Sequence, residues 1–275
     1  MLFRSQEFSA TARQGRALQV EQSGKQSWKV SKAVGEAAHL RYRVFSAAFD
    51  DDLADITPAS LLMYLVGRPE APITVRFVTE NGWKIFTSLE KRGDRYQAAN
   101  YGRLAASPLF MGLDFKTLEF KSAAGIPYAV VFNNARLQMT EQQVEADLED
   151  LANAAASMLG PAPFSAYTYL VKVQAAPLPA PLPYAATSRL SVGENDFVTV
   201  SSYNTFLLSA AQSLAEAWVA NAVRLEPLQS PDWSREALTR NLWFVKGGSA
   251  YFADLLLLRA GLIQPTEFTT RLSAE

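Results

Sequence analysis

The spacing of hydrophobic residues in this chain changes near Thr140, and that change limits the folds available to it. Before Thr140, short apolar segments alternate with polar residues, as in 27–30 and 40–45, and turn residues separate the segments. Strict alternation is typical of strands that bury one face. We therefore predict that residues 1–135 form an antiparallel, sandwich-like β-domain.

One turn signal in this first half is specific. Asn81-Gly82 lies between two strand-like segments, residues 73–78 and 83–86. An Asn-Gly pair between alternating segments is a strong indicator of a two-residue β-hairpin. The sequence therefore predicts that these two segments pair with each other.

After Thr140 the apolar residues recur at helical spacing. Thr140 and Gln143 resemble a capping box, and a long apolar stripe runs from Tyr203 to about Arg224. Residues 164–173 still alternate like a strand. Further helices are predicted to start at Trp233, to break at the two glycines 247–248, and to cover 251–259 and 265–272. We expect residues 136–275 to be mainly helical, so the predicted fold class is α+β.

The counts of two residue types exclude several kinds of chemistry. The chain has no cysteine and a single histidine, His39. Disulfides, thiol nucleophiles, thiolate metal sites and sites with two imidazoles are therefore excluded. His39 lies in an alternating segment, and we interpret it as a strand residue.

The charge balance and the hydropathy limit the kinds of partner that the sequence favours. The chain has 26 Lys plus Arg against 27 Asp plus Glu, and no basic stripe. This balance does not favour nucleic acid or an anionic membrane as a partner. The apolar runs are too short to span a bilayer, so a cytoplasmic location is the default expectation.

One acidic cluster has the residue type of a Ca²⁺ site. It comprises Asp50, Asp51, Asp52 and Asp55. The cluster lacks the glycine and the terminal glutamate of a calcium-binding loop. We predict a solvated turn there.

Residues 241–263 carry a resemblance to a known family. They read Asn-Leu-Trp-Phe-Val-Lys-Gly-Gly-Ser-Ala-Tyr-Phe-Ala-Asp-Leu-Leu-Leu-Leu-Arg-Ala-Gly-Leu-Ile. This stretch resembles the glycyl aminopeptidases, gluzincin metallopeptidases that carry a PDZ domain, whose members read Leu-Trp-Phe-x-Glu-Gly followed by an Asp-Leu-Leu run and Arg-Ala-Gly-Leu-Ile. Residues 83–89, 96–108, 125–131 and 160–170 are similar to further family segments in the same order.

The resemblance covers about residues 20–270 and implies a domain organisation. It implies a β-rich N-terminal domain, residues 1–135, and a thermolysin-like, mainly helical domain, residues 136–275. The start of the first domain, the end of the second and the PDZ domain lie outside the match. We therefore expect a divergent, truncated member, from which any signal peptide would be lost with the start.

The family's zinc ligands do not stand at the matching positions. The family motif His-Glu-Phe-Phe-His-Leu-Trp, aligned on Trp218, places Gln212 and Glu216 at the two histidines and Ser213 at the general base. Lys246 stands where the family has its later glutamate ligand. An anchor on 224–227 would place Leu214, Ala215 and Trp218 at these positions instead, which is no better. We therefore predict no intact catalytic, metal or cofactor-binding residue and no cofactor, although the family uses zinc.

A second family segment, Gly-Leu-Glu-His, also differs. Its nearest equivalent is residues 185–188, Ala-Ala-Thr-Ser, so an acidic residue and an imidazole are absent from the rim of the cleft.

Two interpretations of the replaced site stay open. Lys246 and Glu216 either form an ion pair that takes the structural place of zinc between two helices, or they are surface residues of drifted helices. Ser213 and Lys246 are also the residue types of a Ser-Lys nucleophilic dyad, but nothing in the sequence indicates the oxyanion hole that such a dyad needs.

The resemblance leads to three functional readings. The first is an aminopeptidase-like pseudoenzyme, catalytically inactive, that binds peptides or protein N-termini in the remnant cleft. The second is an active metallo-aminopeptidase that releases N-terminal Gly or Ala with unusual ligands. The third is a non-functional gene fragment.

Overall fold

The structure is a computed structural model. It describes residues 5–45, 52–79, 82–133, 140–175, 182–193, 197, 199–223, 225, 231–233 and 238–274. Antiparallel sheets come first and a mainly helical region follows, so the predicted α+β class is confirmed.

The N-terminal part consists of small antiparallel sheets. Strand β1 (Ser5–Ala12) pairs with β4 (Ala38–Val44), and β2 (Gln19–Gly24) pairs with β3 (Ser27–Ser31). Two three-stranded sheets follow. The first has the strand order β5 (Leu53–Ile56), β10 (Leu109–Gly112), β7 (Lys84–Thr87). The second has the order β6 (Ile73–Val75), β9 (Arg95–Ala98), β8 (Glu90–Arg92). Helix α1 (Tyr101–Ala105) joins them. His39 lies in β4 opposite Thr11, as a strand residue with an exposed side chain.

The predicted hairpin around Asn81-Gly82 is wrong. Strand β6 pairs with β9 and strand β7 pairs with β10, so the two segments lie in different sheets. Strand β6 packs through Ile73 and Val75 against the core cluster that contains Tyr96, and β7 packs through Ile85 against the cluster that contains Leu109. Gly82 does adopt a positive φ of 86°, but Asn81 lies outside the described residues.

The central sheet is mixed and has five strands. Its order is β11 (Phe115–Lys121), β12 (Pro127–Asn133), β13 (Tyr167–Val173), β15 (Thr187–Val192), β14 (Leu182–Pro183). Strands β12, β13 and β15 are parallel, and the outer pairs are antiparallel. The sheet therefore runs across the boundary that we predicted at residue 135.

Among the residues that the structure describes, four long helices pack on the central sheet or follow it. They are α2 (Glu141–Leu159), α3 (Val200–Ala222), α4 (Ser249–Arg259) and α5 (Pro265–Ala274). Thr140 accepts a hydrogen bond from the Gln143 amide at 3.2 Å, so the predicted cap of α2 is present. Helix α3 begins one turn before the predicted start, because Thr199 and Ser202 form a capping box there. The main hydrophobic core lies between the sheet and helices α2, α3 and α4.

The predicted break at the two glycines 247–248 is also wrong. Residues Phe244–Gly248 form a π-helical turn that continues directly into α4. Gly248 has φ −61° and ψ −41°, which are helical values, so glycine here permits a helix rather than ending it. The helix predicted from Trp233 through Phe244 is not continuous: residues 238–241 are described and are not helical, and helical structure begins only at Leu242. Residues 234–237 lie outside the described residues.

No helix in the described part of the chain combines the length and the apolar character that a membrane crossing requires.

Candidate functional site

Helix α3 carries three of the four predicted site residues. Gln212 and Glu216 are one turn apart and share a face of this helix, and Ser213 lies about 100° around the axis from Gln212. Glu216 is buried and Gln212 is half-buried. A helix that is buried on most of its surface is typical of a position between other layers, and α3 packs between the central sheet and α4.

Lys246 reaches this helix from the π-helical turn. Its Nζ donates a hydrogen bond to Glu216 Oε1 at 2.5 Å. The Lys246 side chain is 51% exposed and the Glu216 side chain is 11% exposed. The hypothesised contact is therefore present, and the interpretation of both residues as surface residues is wrong for Glu216. Gln212 makes no hydrogen bond to this pair within the described residues.

The Ser213 hydroxyl is hydrogen-bonded within its own helix. It is fully buried, and its Oγ donates to the carbonyl of Ser209 at 2.7 Å. Its own carbonyl accepts a hydrogen bond from the Tyr167 hydroxyl at 3.3 Å. A buried hydroxyl that donates to backbone carbonyls is not placed to attack a ligand or to take its proton. This geometry gives no support to a Ser213–Lys246 dyad.

A buried polar layer lies beneath α3 on the central sheet. Tyr167 on β13 and Ser188 on β15 share a short hydrogen bond between their hydroxyls. Burial raises the pKa of Tyr167 above its ordinary value, and the negative charge of Glu216 adds to that increase. Tyr167 therefore stays a neutral phenol that braces α3. Sequence reasoning missed this role, although Tyr167 lies in a segment similar to the family.

Strand β15 also holds an ion pair that the sequence did not indicate. Arg189 donates to Asp55 Oδ2 at 2.5 Å and to Thr57 Oγ1 at 2.9 Å. Asp55 was expected in a solvated acidic turn, and that expectation is wrong because Asp55 is buried on β5. The pair joins an N-terminal sheet to the central sheet. Asp50 and Asp51 lie outside the described residues.

Two family matches cover the two ends of the chain. Residues 5–113 match the Peptidase M61 N-terminal domain, and residues 209–275 match the M61 glycyl aminopeptidase family. The second match contains all four predicted site residues. A search of the curated proteins finds no match.

Solved structures share the fold. An aminopeptidase N family protein from Idiomarina loihiensis superposes with a TM-score of 0.88 at 22% identity, over 96% of this chain and 48% of that protein. An M1 zinc metallopeptidase from Deinococcus radiodurans superposes with a TM-score of 0.55 at 15% identity, over 100% of this chain and 66% of that protein. This chain thus spans about half the length of the Idiomarina protein.

These comparisons correct the predicted absence of a cofactor. The prediction of no cofactor is contradicted, because the chain matches a family of glycyl aminopeptidases and its structural neighbours include zinc metallopeptidases. Zinc is therefore the cofactor that this fold implies.

The four residues that the alignment on Trp218 assigns to the zinc site do not fit zinc. A catalytic zinc takes three protein ligands from His, Cys, Asp or Glu. Of the four residues here only Glu216 belongs to those types, and its Oε1 already accepts from the cationic Lys246. Within the described residues, no group of three or more such side chains comes together anywhere.

Proposed function

Because the chain belongs to the M61 glycyl aminopeptidase family, we propose that it is an aminopeptidase-like protein that binds peptides without hydrolysing them. The family supplies the ligand class, and the replaced residues supply the argument against hydrolysis. The hydrogen bond from Lys246 to Glu216 is the observation that carries the proposal.

Peptide hydrolysis in a zinc aminopeptidase depends on a metal-bound water and on a general base for that water. At the base position stands Ser213, which is fully buried and donates to its own helix. At a ligand position stands Glu216, which a lysine ammonium already neutralises. Neither residue supports the hydrolytic step.

The charge at this place also opposes a metal ion. A lysine ammonium is a compact, fixed positive charge, and a dication beside it would be repelled. The pair instead joins α3 to the π-helical turn, which is a structural task that a bound ion performs in a metal site. We propose that the ion pair performs that task here.

The same proposal includes the subgroup of peptidases and the domain types to which we assign the chain. We place the chain among the gluzincins, with a thermolysin-like helical region and a PDZ-associated ancestry. The division into residues 1–135 and 136–275 and the cytoplasmic location stay predictions.

The proposal is tested by separating hydrolysis from binding. The purified chain is incubated with Gly- and Ala-p-nitroanilide, with chelator and with added Zn²⁺, and we expect no hydrolysis above buffer in either condition. Thermal-shift measurements with Gly- and Ala-starting peptides are expected to show stabilisation by at least one peptide.

Two results would overturn the proposal. Zinc-dependent release of nitroaniline, with about one zinc bound per chain, would support the active metallo-aminopeptidase instead. Absence of stabilisation by every peptide would remove the binding function.

A further inference from the structure

A cleft lies between helix α2 and the C-terminal end of helix α4. Its volume is about 560 Å³, within the range of about 300–1,000 Å³ that small-molecule sites occupy. One wall is a single face of α2, on which the lining residues recur every three or four positions: Asp150, Asn153, Ala154, Ser157 and Met158. The other wall consists of Arg259, the last residue of α4, and Ala260.

The cleft is separate from the Glu216–Lys246 pair. None of the four predicted site residues lines it. Lys246 and Arg259 lie near opposite ends of one continuous helical segment, and at about 1.5 Å per residue they are on the order of 20 Å apart along its axis. A small molecule in the cleft would therefore not contact the pair.

The cleft holds one carboxylate and one guanidinium that do not pair with each other. Asp150 and Arg259 are both exposed, and neither forms an ion pair or a side-chain hydrogen bond with any residue that the structure describes. In a direct ion pair the charged N and O atoms approach within about 4 Å. The two charges therefore line one cleft across a gap that a ligand can fill.

Opposite charges in one cleft favour a ligand that carries both signs. A simple anion would be repelled by Asp150 and a simple cation by Arg259, whereas a molecule with an ammonium and a carboxylate group satisfies both residues. A guanidinium binds a carboxylate through two parallel N–H donors. Asn153 Oδ1 accepts from the Ala123 amide at 2.8 Å, which leaves the NH₂ group of Asn153 as a further donor.

The remaining lining residues favour an apolar side chain on that ligand. Ala154 and Met158 are half-buried, and both pack against the main hydrophobic core. A methionine side chain is flexible and adapts its shape to an apolar group. The cleft thus joins two separated charges to a small apolar surface.

We propose that this cleft binds a small zwitterion with an apolar side chain, a free amino acid or a dipeptide. Asp150 accepts hydrogen bonds from its ammonium group, Arg259 donates to its carboxylate, and Met158 contacts its side chain. The inference is independent of the peptide binding proposed above, because the two sites share no residue.

The first experiment titrates the purified chain with L-leucine and with the dipeptide Ala-Leu by calorimetry. We expect saturable binding of one ligand per chain, and the tighter of the two ligands identifies the size class. That ligand is then compared with its C-terminal amide, which lacks the carboxylate, and with its N-acetyl form, which lacks the ammonium group. Each derivative is expected to bind about tenfold more weakly or worse, because each loses a charge-assisted hydrogen bond.

Substitutions then match each ligand group to a residue. In Arg259→Met the advantage of the zwitterion over its amide is expected to disappear, and in Asp150→Asn its advantage over the N-acetyl form. Both positions are exposed, so both variants are expected to keep the circular dichroism spectrum of the original chain. Glu149→Gln is the matched control for Asp150→Asn, since it removes the neighbouring carboxylate of α2, which does not line the cleft.

Four results would overturn the inference. They are no saturable binding of either zwitterion in the millimolar range, equal binding of the zwitterion and both derivatives, unchanged preferences in Arg259→Met and Asp150→Asn, and loss of binding in Lys246→Met. The last result would assign the ligand to the remnant cleft and would leave the proposed peptide binding in place. Retained binding in Lys246→Met, with loss in Arg259→Met, would support the site between α2 and α4.

Discussion

Arg189 on β15 and Asp55 on β5 form an ion pair at 2.5 Å although 134 residues separate them in the sequence. Their side chains are 19% and 5% exposed, so both charges are largely withdrawn from water. Arg189 also donates to Thr57, which fixes its guanidinium on the same N-terminal segment. The pair is a direct polar link between an N-terminal sheet and the central sheet.

Removal of Arg189 should destabilise the chain strongly. In Arg189→Met the buried Asp55 loses its cationic partner, and breaking such a pair costs about 3–5 kcal/mol. Urea unfolding followed by circular dichroism measures this loss.

A control for this prediction is Arg92→Met, which breaks the exposed Arg92–Glu90 contact at 2.9 Å. An exposed pair contributes about 0–1 kcal/mol, so little change is expected. Similar losses in the two variants would contradict the role that we assign to Arg189.

The Lys246–Glu216 pair should contribute less than the Arg189–Asp55 pair. Solvent screens the charge of the half-exposed Lys246. Glu216 is buried, and in Lys246→Met its Oε1 would lose the hydrogen bond that Lys246 donates. We expect Lys246→Met to cost about 1–3 kcal/mol, which is the penalty of a buried group left without its partner.

A double-mutant cycle with Lys246→Met and Glu216→Gln measures the coupling itself. A coupling free energy near zero would mean that the contact does not join α3 to the π-helical turn.

Restoring ligands should restore zinc binding if the four positions descend from a metal site. The combined variant Gln212→His, Glu216→His and Lys246→Glu places two imidazoles one helical turn apart and a carboxylate opposite them. We expect about one zinc per chain by elemental analysis and a higher Tm with added Zn²⁺.

The matched control keeps Lys246 and carries only Gln212→His and Glu216→His. It should bind zinc more weakly, because the third ligand is missing and a cation remains nearby. A folded triple variant that binds no zinc would show that the alignment on Trp218 is wrong.

Stability should fall at alkaline pH in part through Tyr101. Burial raises the pKa of Tyr101 to about 12, and its hydroxyl donates to the Leu62 carbonyl at 3.0 Å. In the unfolded chain a tyrosine ionises near pH 10. The contribution of Tyr101 is therefore fully present below about pH 10 and is lost as the pH rises towards 12.

Tyr101→Phe should flatten the decline of the free energy of unfolding between pH 10 and 12, although it costs about 1 kcal/mol at pH 7 through the lost hydrogen bond. The exposed Tyr251 gives the control variant Tyr251→Phe, which should leave the decline unchanged. An unaltered slope in Tyr101→Phe would assign the decline to other buried tyrosines.

The local parts of this fold could be predicted from the sequence. Thr140 before an apolar stripe correctly predicted the start of α2, and alternation predicted the strands of the N-terminal part. Signals of this kind are local, because a cap or a period involves residues a few positions apart.

The non-local choices could not be predicted in the same way. The Asn-Gly pair was consistent with a hairpin, yet β6 pairs with β9 and β7 pairs with β10, which both lie farther along the chain. Nothing local marks Asp55 as the partner of Arg189. For the candidate site, alignment on Trp218 identified Lys246 and Glu216 as facing positions, but their unequal exposure depends on packing that only the folded chain reveals.

Because Phe244–Gly248 is a π-helical turn, the direction of the Lys246 side chain depends on the number of residues in this turn more than on which residues they are. A π-turn holds one residue more than an α-turn, and such turns are frequently found at functional sites. Each residue in an α-helix advances the direction of the side chains by about 100° around the axis. Loss of a single glycine from this turn would leave the buried side of α4 in place and swing Lys246 away from Glu216. A one-residue deletion would thus separate the two charges without altering either of them.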